Sequence, residues 1–138
     1  MILFVKNEDK IKEKVKEIAQ KYGLSFVALF GSQATGKTHQ KSDIDIAYLS
    51  KNDLGLERES NLIFDLSAIF RNENIDLLNL KNAKPLLYYG VFKNCRVIFE
   101  KTPLTFQTLR AYAFKKYVET KPLYEERFKR LEAKIAYI

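Results

Sequence analysis

The sequence predicts an α/β (α+β) fold, a mixed sheet of about four strands flanked by helices, with a long C-terminal helix. Three observations carry this. Short apolar runs rich in β-branched and aromatic residues alternate with stretches of helical spacing. Neither an internal repeat nor a low-complexity linker divides the chain. After Pro103 the pattern is helical to the end.

From Glu8 to Tyr22 the residues Ile11, Val15, Ile18 and Ala19 recur at helical spacing among lysines and glutamates, and Gly23 stands in the stop position. LSFVALF, Leu24 to Phe30, reads as a buried strand bounded by Gly31. The polar stretch GSQATGKTHQKS separates it from a second strand, DIDIAYL. A helix from about Asp53 to Arg71 is suggested by Leu54, Leu56, Leu62, Ile63, Leu66, Ile69 and Phe70, and the turn-forming RNEN ends it. NIDLLNL is a third strand, PLLYYGVFKN a short helix opened by Pro85, and CRVIFE a fourth strand. In the last helix Phe114, Tyr117, Tyr124, Phe128, Leu131 and Ile135 fall on 3 and 4 spacing with one gap at Lys121. That stripe can pack across the sheet or meet a partner helix.

With 138 residues the chain has room for one domain, read as a core over 1–100 and a helical extension of the same domain over 101–138. Lone Cys95 offers no internal disulfide, the N-terminus reaches charge after five residues, and no apolar run approaches the roughly 18 residues that span a bilayer. A cytoplasmic protein without a membrane partner is expected. The charge of +7 is uneven: residues 1–100 hold 15 basic and 13 acidic residues, residues 101–138 nine and four. The basic tail could steer a nucleic acid, a nucleotide or an acidic protein partner.

Two motifs share one glycine. GSQATGKT, Gly31 to Thr38, satisfies the P-loop pattern, but a P-loop Lys and Thr open a helix of several turns whose N-terminus holds the phosphates. Here Asp43 begins a strand five residues after Thr38, which leaves no room for that helix. The second motif is Gly31-Ser32, ten residues, then Asp43-Ile44-Asp45. Side chains alternate along a strand, so Asp43 and Asp45 share a face roughly 6.5 Å apart while Ile44 and Ile46 turn into the core. That is a half-buried strand with two carboxylates on its other face. They repel unless a cation or protons intervene, and Mg²⁺ suits them, since it takes carboxylate oxygens together with substrate phosphates. Asp76 can join them if NIDLLNL pairs beside DIDIAYL, and three such carboxylates can hold one or two Mg²⁺ ions and orient an attacking hydroxyl. Gly31 lets backbone approach phosphate oxygens, Ser32 can bond them, and Lys37 and Lys41 add positive charge.

GSQATGKTHQKSDIDIAYLS resembles the G-S-x10-D-x-D signature of the polymerase-β-type nucleotidyltransferases, and NIDLLNL resembles their third-carboxylate strand. The similarity covers roughly Leu24 to Glu100. The short length resembles the minimal nucleotidyltransferase (MNT) branch, whose members are encoded as antitoxins with HEPN-domain ribonuclease toxins. The resemblance implies a polymerase-β-like nucleotidyltransferase fold and Mg²⁺-dependent transfer of AMP from ATP to a tyrosine hydroxyl of a partner HEPN toxin. It further implies that Gly31 and Ser32 hold the triphosphate, that Asp43 and Asp45 bind Mg²⁺, and that Asp76 completes the metal site and assists deprotonation. Direct nucleic-acid binding is not expected. Two other functions are compatible with the residues: an antitoxin that neutralises its partner by binding alone, and a small-molecule nucleotidyltransferase of the aminoglycoside-modifying kind.

Other chemically able residues read as structural. His39 reads as a loop histidine, Cys95 as a small packed residue with no histidine nearby in sequence to activate it, and Tyr88 and Tyr89 as sheet packing. Arg58 and Arg71 could reach phosphates, but the sequence does not orient them.

Overall fold

The computed structural model describes residues 7–31 and 43–136. Helix α1 (Glu8–Tyr22) leads into strand β1 (Leu24–Phe30), followed by β2 (Ile44–Ser50), α2 (Gly55–Phe70) and β3 (Ile75–Asn79). A single 3₁₀ turn, Leu80–Asn82, then leads to α3 (Pro85–Lys93), β4 (Cys95–Glu100) and α4 (Thr105–Ala136). The mixed four-stranded sheet and long last helix are those expected. Boundaries differ from the expectation by a residue or two: Asp43 and Asn74 precede their strands, and α2 starts at Gly55.

The sheet order is β3-β2-β1-β4, with β1 antiparallel to both neighbours and β2 parallel to β3. A parallel pair needs a crossover, and α2 supplies it. Two helices cover each face. On one, Ile11, Val15 and Ala19 of α1 and Leu62, Leu66 and Phe70 of α2 pack on Val27, Leu29, Ile44, Ile46 and Tyr48. On the other, Tyr88, Val91 and Phe92 of α3 and Ala113 of α4 pack on Phe26, Ala28 and Ala47. β2 is therefore covered on both faces, which corrects the half-buried strand expected from its alternation. Ala47 lies under α3 and α4, and only Asp45, toward the strand's start, places a charge on that face.

Side-chain hydrogen bonds lock the first face. The Tyr22 hydroxyl of α1 donates to Asp65 of α2 at 2.6 Å, Lys21 reaches the same carboxylate at 3.2 Å, and Tyr48 of β2 donates to Glu59 at 3.0 Å. Gly23 ends α1 at φ 69° and returns its N–H to the Ala19 carbonyl, a left-handed cap that costs glycine no steric strain.

α4 has two fates. Its 32 residues extend about 48 Å at 1.5 Å per residue, well beyond a seven-residue strand. Phe106, Leu109, Ala113 and Phe114 join the second core cluster, and Tyr117 stacks on Tyr89 at 3.9 Å between ring centres. Beyond Tyr117 the helix, with Pro122 inside it, leaves Phe128, Leu131 and Ile135 exposed. No described helix is long and apolar enough to cross a membrane.

Candidate functional site

Strand register assembles the site. Parallel pairing sets Asp45 of β2 opposite Asp76 of β3, and antiparallel pairing sets Asp45 opposite Phe30 of β1. Phe30 in turn faces Cys95 of β4. One row, Asp76–Asp45–Phe30–Cys95, therefore crosses the whole sheet, and its side chains share the face covered by α3 and α4.

Gly31 follows β1 at φ 66°, a conformation that favours glycine. A Cβ built there would lie 2.5 Å from Asp45 Oδ2, so the backbone lies against the carboxylate and a side chain there would force the carboxylate to move. A phosphate chain bound along that backbone would lie beside the acids.

Asp45 is pushed above the ordinary carboxylate range. Burial is the largest cause, followed by the negative charges of Asp76 and Asp43 and a side-chain hydrogen bond with Asp76. A carboxylate held by like charges and sharing a hydrogen bond with one of them calls for a positive ion or a proton in their midst. This set of hard oxygen donors, in which Asp45 and Asp76 form no ion pair among the described residues, fits Mg²⁺. The tight pair is Asp45–Asp76. Asp43, exposed just before β2, adds charge, and among the described residues no three acidic, His or Cys side chains form a closed metal cage. Open coordination suits Mg²⁺, which usually keeps waters and substrate phosphates among its ligands.

Of the five residues singled out from the sequence, Gly31, Asp43, Asp45 and Asp76 meet at one end of the sheet. Ser32 lies outside the described residues, as do Lys37, Thr38, His39 and Lys41 of the P-loop-like segment. The remaining candidates are engaged elsewhere. Arg58 donates to the Lys21 carbonyl and lies over the Tyr22 ring, and Arg71 caps α2. Tyr88 packs on Phe92, and Tyr89 on Tyr117. Burial pushes the Cys95 thiol up, with Arg110 opposing, so it is a poor nucleophile. Sequence reading missed Phe30 as the neighbour of Asp45, Cys95 as the next residue of the row beyond Phe30, and Arg110 of α4 as the cation whose charge reaches Cys95. Pairing register alone brings them together, and no local pattern encodes it.

A groove of about 560 Å³ along α4 shares no residue with this row. The groove is lined mainly by apolar surface, whereas the row gathers carboxylates whose like charges help push Asp45 up.

The polymerase beta nucleotidyltransferase family model matches residues 13–104. Protein adenylyltransferase MntA of Shewanella oneidensis is 33% identical over 81 residues, 59% of this chain and 56% of MntA, so the chain spans about half the length of that curated relative. A crystal structure of a toxin–antitoxin with AMP-PNP superposes with a TM-score of 0.75 at 21% identity, covering 88% of this chain and 98% of the matched one. A structure of a tri-AMPylated Shewanella oneidensis HEPN toxin in complex with MNT antitoxin gives 0.70 at 18% identity, covering 90% and 98%.

Proposed function

Because the chain belongs to the polymerase beta nucleotidyltransferase family, we propose that it is a protein adenylyltransferase that serves as an antitoxin. It transfers AMP from ATP to a tyrosine hydroxyl of a partner HEPN ribonuclease toxin, in the cytoplasm, and so silences the toxin. The observation that carries this reading is the registered pair Asp45–Asp76 with Gly31 closed against it. Its similarity to MntA supports protein as the acceptor class, and the AMP-PNP-bound and tri-AMPylated complexes support the nucleotide and the HEPN partner.

In this reading Gly31 and Ser32 hold the triphosphate. Asp43, Asp45 and Asp76 would hold Mg²⁺, which when bound supplies neutralisation of the phosphate charge. Asp76, on the edge strand, takes the proton of the incoming tyrosine hydroxyl. The hydroxyl oxygen bonds to the α-phosphorus, the bond from that phosphorus to its bridging oxygen breaks, and pyrophosphate leaves with the electron pair. The Gly31 backbone holds the nucleotide in line for that displacement. Residues 1–100 form the nucleotidyltransferase core, and 101–138 are a helical extension of the same domain.

The test is intact-mass spectrometry of the HEPN protein encoded beside this chain, after incubation with the chain, ATP and Mg²⁺, with Asp45→Ala in parallel. Mass steps of one AMP that vanish in the variant are expected. An unmodified partner that nonetheless forms a stable complex would replace this reading with neutralisation by binding.

A further inference from the structure

α4 starts beside the start of β1, where Phe106 stacks on Phe26 with ring centres 6.3 Å apart. From there it runs toward the end of β1 that carries Gly31, and Leu109 and Phe114 pack against the same cluster as Phe30 and Cys95. Arg110 stands on this stretch. Its guanidinium leans along the helix toward Phe114, 5.1 Å from the ring centre, and its charge reaches the Cys95 thiol at the first residue of β4. Arg110 is exposed and forms no ion pair among the described residues.

The row Asp76–Asp45–Phe30–Cys95 is therefore polarised. Two carboxylates occupy its β3–β2 end, and the charge of Arg110 lies at its β4 end. Two strand spacings, roughly 9.5 Å, separate Asp45 from Cys95, a span for a phosphate chain rather than for an ion pair. That polarity coincides with the direction of the proposed AMP transfer, on which this inference rests. In phosphoryl transfer the attacking and leaving oxygens lie roughly in line through phosphorus. With the hydroxyl entering beside Asp76 and the α-phosphorus at Asp45, pyrophosphate departs on the side away from Asp76, past Gly31 at the end of β1 and toward β4. Negative charge then moves along the row from the acids to the cation. We propose that Arg110 anchors the phosphate end of the nucleotide, its guanidinium donating hydrogen bonds to oxygens of the β- and γ-phosphates and holding pyrophosphate as it leaves. A guanidinium suits this role because its planar fork matches phosphate oxygens and keeps its charge at any working pH. The Phe114 ring attracts the cation yet offers no oxygen, which leaves the N–H groups for phosphate.

Isothermal titration calorimetry of the full chain in Mg²⁺ buffer, with AMP-PNP, pyrophosphate and AMP as separate titrants, tests this without the toxin partner. Arg110→Gln keeps a polar stem and removes the charge. It should weaken AMP-PNP and pyrophosphate by about tenfold or more, the scale of one hydrogen bond to a charged group, and leave AMP binding and thermal melting unchanged. Arg110→Lys, which restores the charge without the fork, should recover part of the loss. Wild-type affinity for AMP-PNP and pyrophosphate in Arg110→Gln overturns the inference and leaves nucleotide transfer standing. So does an equal loss for AMP, which would set Arg110 against the nucleoside end. A wild-type chain that binds neither AMP-PNP nor pyrophosphate overturns the inference together with the transfer reading beneath it.

Discussion

The two faces of the sheet are built from the same strands and serve opposite ends. Under α1 and α2, hydrogen bonds tie Tyr22 and Lys21 to Asp65 and Tyr48 to Glu59, while the buried Ser50 hydroxyl at the end of β2 has no hydrogen-bond partner among the described residues. Under α3 and α4, the row that ends the hydrophobic cluster carries Asp45 and Asp76, and no cation in the described chain forms an ion pair with either. The first face spends its polar groups on rigidity, and the second keeps unbalanced charge where a phosphate chain can approach. The difference teaches where to look for function in a fold of this size: at the place where stability is given up.

The largest break in that comparison comes from the charged face. Asp45→Asn keeps the shape and removes the charge. AMP transfer should fall by about 10³-fold, the scale of losing one well-placed electrostatic group. The melting temperature in Mg²⁺-free buffer should rise, because one of three mutually repelling carboxylates is gone. Differential scanning calorimetry beside the transfer assay checks both signs, and a fall in both would mean that Asp45 is structural.

The other face should answer in the opposite way. Leu66, wholly buried between α2 and the sheet, should cost about 2–5 kcal/mol on Leu66→Ala, measured by urea unfolding. Transfer by the remaining folded protein should be unchanged at temperatures where it stays folded. Gly31→Ala lies between the two. Its positive φ costs about 1–2 kcal/mol with any side chain, and the added methyl pushes on Asp45 Oδ2. It should lower both stability and transfer, and a variant that loses stability alone would separate the glycine's backbone role from its contact with Asp45.

The same contrast decides what was legible in the sequence. The first face is a local pattern: Ile11, Val15 and Ala19 at helical spacing, closed by Gly23, define α1 without any knowledge of its neighbours. The acids were legible because alternation within DIDIAYL puts Asp43 and Asp45 on one side. Asp76 needed the further condition that β3 lie beside β2, which the parallel register meets. Residues joined only by pairing were not legible. Phe30, Cys95 and Arg110 lie 13 or more positions from the nearest acid of the site and from one another in the chain and meet the row only through the sheet and α4. The covering of Ala47 was hidden for the same reason, since alternation in β2 cannot report helices that arrive 38 or more residues later. The fate of α4 was half visible: its apolar stripe runs along the sequence with one gap at Lys121, but only the length of the sheet tells where packing stops.

The smallest effect belongs to the tie between α1 and α2. Tyr22→Phe removes one hydroxyl hydrogen bond while Lys21 still holds Asp65, so the cost should be about 1 kcal/mol near neutral pH. Its pH dependence is more telling. The Tyr22 hydroxyl is pushed up to about 12, first by burial and then by the hydrogen bond and charge of Asp65, against an ordinary value of 10.0. Its folded value lies above its unfolded one, so this stabilisation is fully present below pH 10 and is lost as the pH rises through about 12. Unfolding free energies for both proteins, measured below pH 10 and again near pH 12, should therefore converge as the pH rises. Tyr48, raised by burial and by Glu59, keeps some alkaline sensitivity in the variant. A constant difference between the two proteins across that range would mean that the hydroxyl contributes through packing alone and that α1 is held to α2 by its apolar stripe.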